Sequence, residues 1–210
     1  MELIWHGLSC FRIQQRDMAT VVTDPFDASI GLPQLKLSAD VVTISHEAAG
    51  HNYLAAVSGY EYALTAPGEY ELGNVFITGI STAQEGASGK NVLFMFDFDG
   101  ITIAHLGDMA RVPTQTQIEA LEQIHVLLVP VGGGNSLNAA QAAELVSMLE
   151  PNIVVPMHYQ IPQLTLQLDG VDRFLNEMGV TEAVQEDSLK LTSGNLAEET
   201  EVVLLAPRRL

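Results

Sequence analysis

Residues 44–54 read ISHEAAGHNYL. A β-branched run, VVTI at 41–44, ends in Ser45, and His46 and His51 follow across small and acidic residues. Val, Ile and Thr favour a pleated, half-buried strand, whereas Ala48, Ala49 and Gly50 supply no strand signal, so a strand runs out into a loop near His46. Two imidazoles in such a loop are half of a metal site, because neutral imidazole is a standard donor to divalent transition metals. The other half has to come from elsewhere in the chain.

Other strand ends supply candidates. Strand-like runs come early and close together: ELIWH (2–6), SCFRIQ (9–14), ATVVTD (19–24), DVVTIS (40–45), VFITGI (75–80), VLFMFDF (92–98) and ITIAHLG (101–107). Asp99-Gly100 between the last two predicts a two-residue hairpin turn. Beyond residue 110, helix-period segments (114–123, 138–149, 169–178) alternate with the apolar runs HVLLVPV (125–131), NIVVPMH (152–158) and EVVLLA (201–206). The stretches 81–90 and 160–167 read as polar loops. No repeat, low-complexity tract or long linker divides the chain, so residues 1–210 are expected to form one α/β domain.

Of the six histidines, His158 closes the run NIVVPM, and Asp108 leaves its strand through Gly107. Loops beyond strand ends collect ligand-binding groups in α/β proteins, so His46, His51, Asp108 and His158 are the residues expected to converge. His105 sits inside a strand run and His125 begins one, which suits core or surface positions better than a site.

Composition narrows the partners. Nine basic against twenty-six acidic side chains give a net charge of -17. Such an excess repels a phosphate backbone, and no basic patch offsets it, so neither nucleic acid nor an anionic membrane is an expected partner. No apolar run reaches the ~20 residues that span a bilayer, and the N-terminus lacks a basic leader, which predicts a cytoplasmic protein. The single cysteine, Cys10, reads as a buried small apolar group in a reducing compartment. A small-molecule ligand or substrate is the expected partner, and homo-oligomerisation stays open.

The order of S-H-x-x-x-x-H-N, PGEYE (67–71), FITGI, GKN, HLGD (105–108), PVGG (130–133) and PMHY (156–159) resembles the metallo-β-lactamase superfamily, most closely the branch with ascorbate-6-phosphate lactonase and uncharacterised Zn-dependent hydrolases. The likeness runs from WHGLSCFRI (5–13) to the final strand. It implies a metallo-β-lactamase-type αβ/βα sandwich, two mixed β-sheets flanked by helices, with the site along one edge. It also implies a HxHxDH motif where this chain has His46, Ala48, Gly50 and His51. The motif's middle histidine is therefore Ala48 and its aspartate Gly50. A third ligand of that family corresponds to Gln84, and a histidine that usually follows the glycine of WHG is Leu8.

The resemblance assigns one metal position to His46 and a share of Asp108, too few donors for an ion that takes four. The other keeps His51, His158 and Asp108, with His46 able to lean in as a fourth ligand. The expectation is at most one zinc or other divalent transition metal, a second being lost, with Asp108 and His158 as the catalytic pair. Glu47 and Glu85 lie beside the lost positions. A metal-free, hydrogen-bonded polar cluster is the alternative. In the loop GGGNSLN (132–138), Gly133, Gly134 and Asn135 could meet a substrate anion before a helix, or simply form a capped turn.

The function expected is that of a divergent metal-dependent hydrolase-family protein with an eroded two-metal site and weak hydrolysis of a small lactone, ester or phosphoester. The alternative is a non-catalytic member that binds a small ligand or acts through protein contacts. If the motif was once complete, its loop should accept Ala48→His, Gly50→Asp and Gln84→His without loss of fold.

Overall fold

The computed structural model describes every residue except 84–89, 114–117, 119, 120, 122, 184, 197, 209 and 210. In chain order its first strands are β1 (Glu2–Gly7), β2 (Cys10–Gln14), β3 (Val21–Thr23), β4 (Leu37–Ser38), β5 (Val41–Thr43), β6 (Val57–Ser58), β7 (Tyr62–Leu64), β8 (Gly68–Leu72) and β9 (Val75–Ala83). There follow β10 (Lys90–Phe98), β11 (Ile101–His105), β12 (Val126–Pro130), helix α1 (Ala139–Leu149), β13 (Ile153–Met157) and helix α2 (Asp172–Glu177). The short strands β14 (Gln185–Glu186), β15 (Leu189–Lys190), β16 (Glu201–Val202) and β17 (Leu204–Leu205) close the chain.

These strands build two mixed sheets. The first has the order β15-β1-β2-β3-β5-β7, antiparallel from β15 to β3 and parallel beyond. The second has the order β16-β13-β12-β11-β10-β9-β8, parallel from β16 to β11 and antiparallel beyond. β12 (VLLVP) and β13 (IVVPM) are buried at every position, as parallel strands covered on both faces must be. β8 ends the second sheet, and its residues Glu69 and Glu71 are exposed, charges that discourage pairing with another chain.

One core joins the layers, taking Trp5, Phe11 and Val22 from the first sheet and Phe94, Phe96 and Ile103 from the second. Asp99 and Gly100 both have positive φ, 54° and 84°, and join β10 to β11 with Phe98 opposite Ile101, the two-residue hairpin expected from their sequence.

The helices follow local chemistry. Asn138 caps α1 and forms a reciprocal capping box with Gln141, while Ala139, Ala142, Leu145 and Val146 face the core. Glu150 ends it in a left-handed conformation, before Pro151. Helix α2 is shorter than the expected 169–178. The Asp169 N–H donates to the Gly132 carbonyl and the Asp169 carbonyl accepts from the Gln160 N–H, so that residue is held in a loop contact. The run 201–206 divides because β16 pairs with β13 and β17 pairs with β14. The segment 114–123 falls largely outside the described residues.

Among the described residues, the ion pairs made by arginine are Arg16–Asp17 and Arg173–Asp169, all four side chains at the surface. The excess of carboxylates therefore repels itself, and salt should relieve that repulsion. Raising NaCl from about 0.05 to about 0.5 M should increase Tm by roughly 2–4 °C, equivalent to about 1 kcal/mol, in a calorimetric scan. A Tm that falls over the same range would show that surface repulsion does not limit stability.

Candidate functional site

The two sheets present their strand ends to one buried spot. His46 follows β5 in the first sheet, whereas Asp108 follows β11 and His158 follows β13 in the second. His46, His51, Asp108 and His158 are all buried, at 5%, 2%, 5% and 5% exposure. His46 Nε2 lies 3.7 Å from Asp108 Oδ2, and His158 Nε2 lies 3.6 Å from Asp108 Oδ1. The His51 ring stands between the other two, its centroid 4.2 Å from that of His46 and 5.3 Å from that of His158.

Each member is held by groups outside the cluster. Ser45 donates its hydroxyl to Asp24 Oδ2 at 2.6 Å, its N–H to Asp24 Oδ1 at 2.7 Å, and its Oγ stands 3.0 Å from His46 Nδ1. The Asp108 N–H donates to Asn91 Oδ1 at 2.9 Å, and Asn91 Nδ2 donates to Thr82 Oγ1 and to the Leu106 carbonyl. Gly107 has φ +60°, and a Cβ there would lie 2.4 Å from Asn91 Oδ1 and 2.5 Å from Ser45 Cβ. Only glycine lets this turn approach both supports. Ser136 Oγ stands 3.3 Å from His158 Nδ1. Asp24, Ser45, Asn91 and Ser136 were not singled out from the sequence. Asp24 carried a legible signal, since it ends the run ATVVTD as Asp108 ends its own.

Burial sets the protonation states. It lowers the pKa of His46 and His158 against the opposing pull of Asp108, and lowers that of His51 further, with the neighbouring imidazoles adding to the effect. The histidines are thus neutral near pH 7 and offer lone pairs. Asp24 is pushed up to about 8, chiefly by burial, with the nearby Asp108 charge adding and the Ser45 hydrogen bonds opposing.

The donor chemistry suits a cation. Neither ring nitrogen of His51 makes a hydrogen bond of good geometry among the described residues, although the Ala49 backbone favours its charged form slightly. The 3.6 and 3.7 Å gaps exceed a hydrogen bond, yet two donors about 2.1 Å from one tetrahedral ion stand about 3.4 Å apart. The two histidines face different oxygens, however. Among the described residues no three His, Cys, Asp or Glu side chains form a ready metal cage.

The positions that the resemblance aligns with missing ligands lie as follows. Ala48 is half-buried, Gln84 and Glu85 lie outside the described residues, and the exposed Glu47 accepts a hydrogen bond from Asn52. Gly50 is buried with φ +96°, and a Cβ there would stand 2.9 Å from Leu8 Cδ2 and 3.4 Å from Ile30 Cγ2. An aspartate at 50 would therefore be strained and would have to displace the end of the Leu8 side chain. In the loop GGGNSLN the Gly133 N–H donates to Leu137, while Gly134 and Asn135 are exposed.

The remaining histidines lie outside the cluster. His105 is fully buried, with Nε2 2.8 Å from the Ser9 carbonyl and Nδ1 accepting from the Gly107 N–H. Burial lowers its pKa to about 4, so it is a core residue supporting the turn. His125 Nδ1 accepts from the Thr102 N–H. His6 is buried beside a small cavity of about 20 Å³ lined by Leu32, Ile161 and Arg208. Cys10 is also buried, which raises its thiol pKa.

Residues 2–158 match the model of a beta-lactamase superfamily domain. A UPF0173 protein of Pyrococcus furiosus is 27% identical over 186 residues, covering 76% of this chain and 83% of its own. A UPF0173 metal-dependent hydrolase of Thermoplasma volcanium is 25% identical, with the same coverage of 76% and 83%. Among solved structures, a proposed Zn-dependent hydrolase of the metallo-beta-lactamase superfamily from Thermotoga maritima superimposes with a TM-score of 0.80 and 34% identity, covering 97% of each chain.

Gly50→Asp should lower unfolding free energy by about 2 kcal/mol through overpacking and backbone strain. Adding Leu8→Ala should cost less than the two separate losses combined, by about 1 kcal/mol or more. Urea unfolding of the parent, both single variants and the double variant measures this, and strictly additive losses would place Leu8 away from the residue at 50. Asp24 gives a second outcome. Its folded pKa lies above the ordinary carboxyl value, so its ionisation destabilises the metal-free fold progressively as pH rises from about 4 to about 8. Asp24→Asn should therefore gain on the parent between pH 5 and 8 by on the order of 1 kcal/mol or more. A gain in the opposite direction would mean that Asp24 is stabilised as a carboxylate.

Proposed function

The chain belongs to the beta-lactamase superfamily, and from that premise and the buried cluster we propose that it is a hydrolase-family protein whose site takes one divalent transition metal ion. The observation that carries this reading is the facing of two imidazole nitrogens towards the two oxygens of Asp108, at 3.7 and 3.6 Å. With their unprotonated nitrogens turned inward, the two imidazoles and the carboxylate would offer lone pairs across those gaps, an arrangement that a cation stabilises. The relatives named as metal-dependent hydrolases support it.

His46, Asp108 and His158 would hold the ion, with His51 the adjoining donor. Ala48 and Gly50 bring no donor, and Leu8 and Ile30 close the space beside them, which argues against a second ion. When bound, such an ion polarises a carbonyl or phosphoryl oxygen and lowers the pKa of water. Asp108 would hold its charge between the two imidazoles, and Ser45 and Ser136 would keep the rings aimed. His158 and Asp108 are the proposed catalytic pair, Gly134 and Asn135 the exposed part of the proposed substrate contact with Gly133. The substrate class is a small lactone, ester or phosphoester, and the acidic surface disfavours nucleic acid.

One observation favours a second reading, a non-catalytic protein that binds a small ligand in the inherited cleft. The apolar packing of Leu8 against Gly50 is organised around the absence of the motif aspartate rather than merely lacking it.

Elemental analysis and zinc titration, with a screen of nitrophenyl esters, phosphoesters and lactones, distinguish the two. The expected outcome is one equivalent of zinc, lost in Asp108→Ala and weakened at least about 10-fold in His158→Ala, with measurable hydrolysis in the loaded parent. Two equivalents would contradict the single-ion assignment. Binding without turnover of any substrate would favour the non-catalytic reading, and no binding at all would overturn the cation site.

A further inference from the structure

His158 occupies an unusual backbone position. Its φ is +51°, a left-handed conformation that few residues other than glycine adopt, histidine being among those that do so more often. Two backbone bonds hold it there, the His158 N–H donating to the Leu8 carbonyl and the Gly132 N–H donating to the His158 carbonyl, each at 3.0 Å. Gly132 is required at that approach, since a Cβ on it would lie 2.3 Å from the His158 carbonyl oxygen. These bonds fix where the ring starts but not which of its nitrogens carries the proton.

That choice falls to Ser136, a buried residue at 7% exposure. Its Oγ lies 2.9 Å from the Gly133 carbonyl and 3.3 Å from His158 Nδ1. A carbonyl can only accept, and a hydroxyl has one hydrogen to give. With that hydrogen on Gly133, Ser136 turns a lone pair to the ring, and Nδ1 must be the protonated nitrogen. Nε2 then faces Asp108 Oδ1 with its own lone pair. The opposite arrangement would turn the hydroxyl to Nδ1 and protonate Nε2. It exchanges a 2.9 Å hydrogen bond for an Nε2–Oδ1 contact of 3.6 Å, which is too long to be one.

We propose that Ser136 is a positioning residue that holds His158 as the Nδ1–H tautomer and so keeps Nε2 available as a donor to the ion. The loop is built to deliver it. Gly133 and Gly134 take φ of +68° and +72°, the Ser136 N–H donates to Gly133 at 3.2 Å and the Leu137 N–H to Met109 at 2.8 Å. Met109 directly follows Asp108, so one loop is fastened to both residues that face each other across the gap. The use assigned to Nε2 rests on the single-ion reading above, whereas the tautomer does not.

Long-range proton–nitrogen correlation spectra of the imidazoles, recorded on metal-free protein at pH 7.5, read the tautomer directly. His158→Gln identifies the signals. The parent and Ser136→Thr, which retains the hydroxyl, should show His158 protonated at Nδ1. Ser136→Ala should move it towards the Nε2–H form and weaken zinc binding about 10- to 100-fold, at a pH where a circular dichroism spectrum confirms the fold. A parent with His158 protonated at Nε2 overturns the proposal, as does Ser136→Ala with unchanged tautomer. If Ser136→Ala does not fold, the tautomer of the parent alone decides between the two arrangements. If zinc fails to bind the parent while the tautomer responds to Ser136, the positioning role stands and the single-ion reading falls.

Discussion

The structure is organised around a carboxylate that has been taken out of water between two imidazoles from different sheets. Asp108 is 5% exposed, with His46 on one side and His158 on the other. Burying a charge among neutral groups costs several kcal/mol unless hydrogen bonds or an opposite charge offset it. The surroundings fix the backbone on which that carboxylate stands with long-range polar contacts. Asn91 accepts the Asp108 N–H and reaches Thr82 and Leu106 on either side. The Ser45 carbonyl accepts the Val92 N–H, and His105 reaches the Ser9 carbonyl. The last two bonds tie the first sheet to the second where the apolar core gives way to the site, so fold and site share the same fastenings.

The repacking beside the cluster has a similar logic. Leu8 is fully buried, with φ +50°, a strained conformation for leucine that the Leu8 carbonyl helps to hold by accepting from both the Trp5 indole and the His158 N–H. Its side chain meets the open face of Gly50. A polar residue at either position would need a partner that the other does not supply, whereas leucine against glycine needs none. The two positions make a hydrophobic contact, and a larger residue at one meets resistance from the other.

How much of this could be read in the sequence depends on the range of the interaction. His46, Asp108 and His158 each close an apolar run, and periodicity locates strand ends well, whereas a shared site for them was what the family resemblance implied. The hairpin at Asp99-Gly100 was equally legible because two adjacent residues determine it. Ser136 was not. Nothing within GGGNSLN distinguishes a serine that caps a turn from one that holds a histidine at 158, since the contact forms only after β12, α1 and β13 are in place. The packing around Gly50 was not legible for the same reason. Its neighbours Leu8 and Ile30 lie more than a strand away in sequence, and only the assembled core shows that they fill its open side. The strands β4, β6, β7, β8, β14 and β15 were also missed, because their pairing reflects where neighbouring elements bring them rather than local propensity.

The two arms that hold the facing histidines differ in kind, and the difference matters for how the cluster responds to its surroundings. Ser45 and Ser136 both place a hydroxyl oxygen at an Nδ1, at 3.0 and 3.3 Å. Behind Ser136 stands the Gly133 carbonyl, which has no proton to give or take, so the direction of that chain of hydrogen bonds is the same wherever the fold persists. Behind Ser45 stands Asp24, a buried carboxyl raised to about 8. As an anion it draws the Ser45 hydrogen and leaves His46 protonated at Nδ1. As a neutral acid it can donate to Ser45 instead, which frees the hydroxyl hydrogen for Nδ1 and shifts the ring proton to Nε2. One serine is thus backed by a group that cannot titrate and the other by one that can, although the histidines beyond them face the same carboxylate. The asymmetry arises in the backbone rather than in the cluster: the chain offers Ser136 a carbonyl because Gly133 and Gly134 fold the loop back on itself, and offers Ser45 a side chain because β3 ends beside β5.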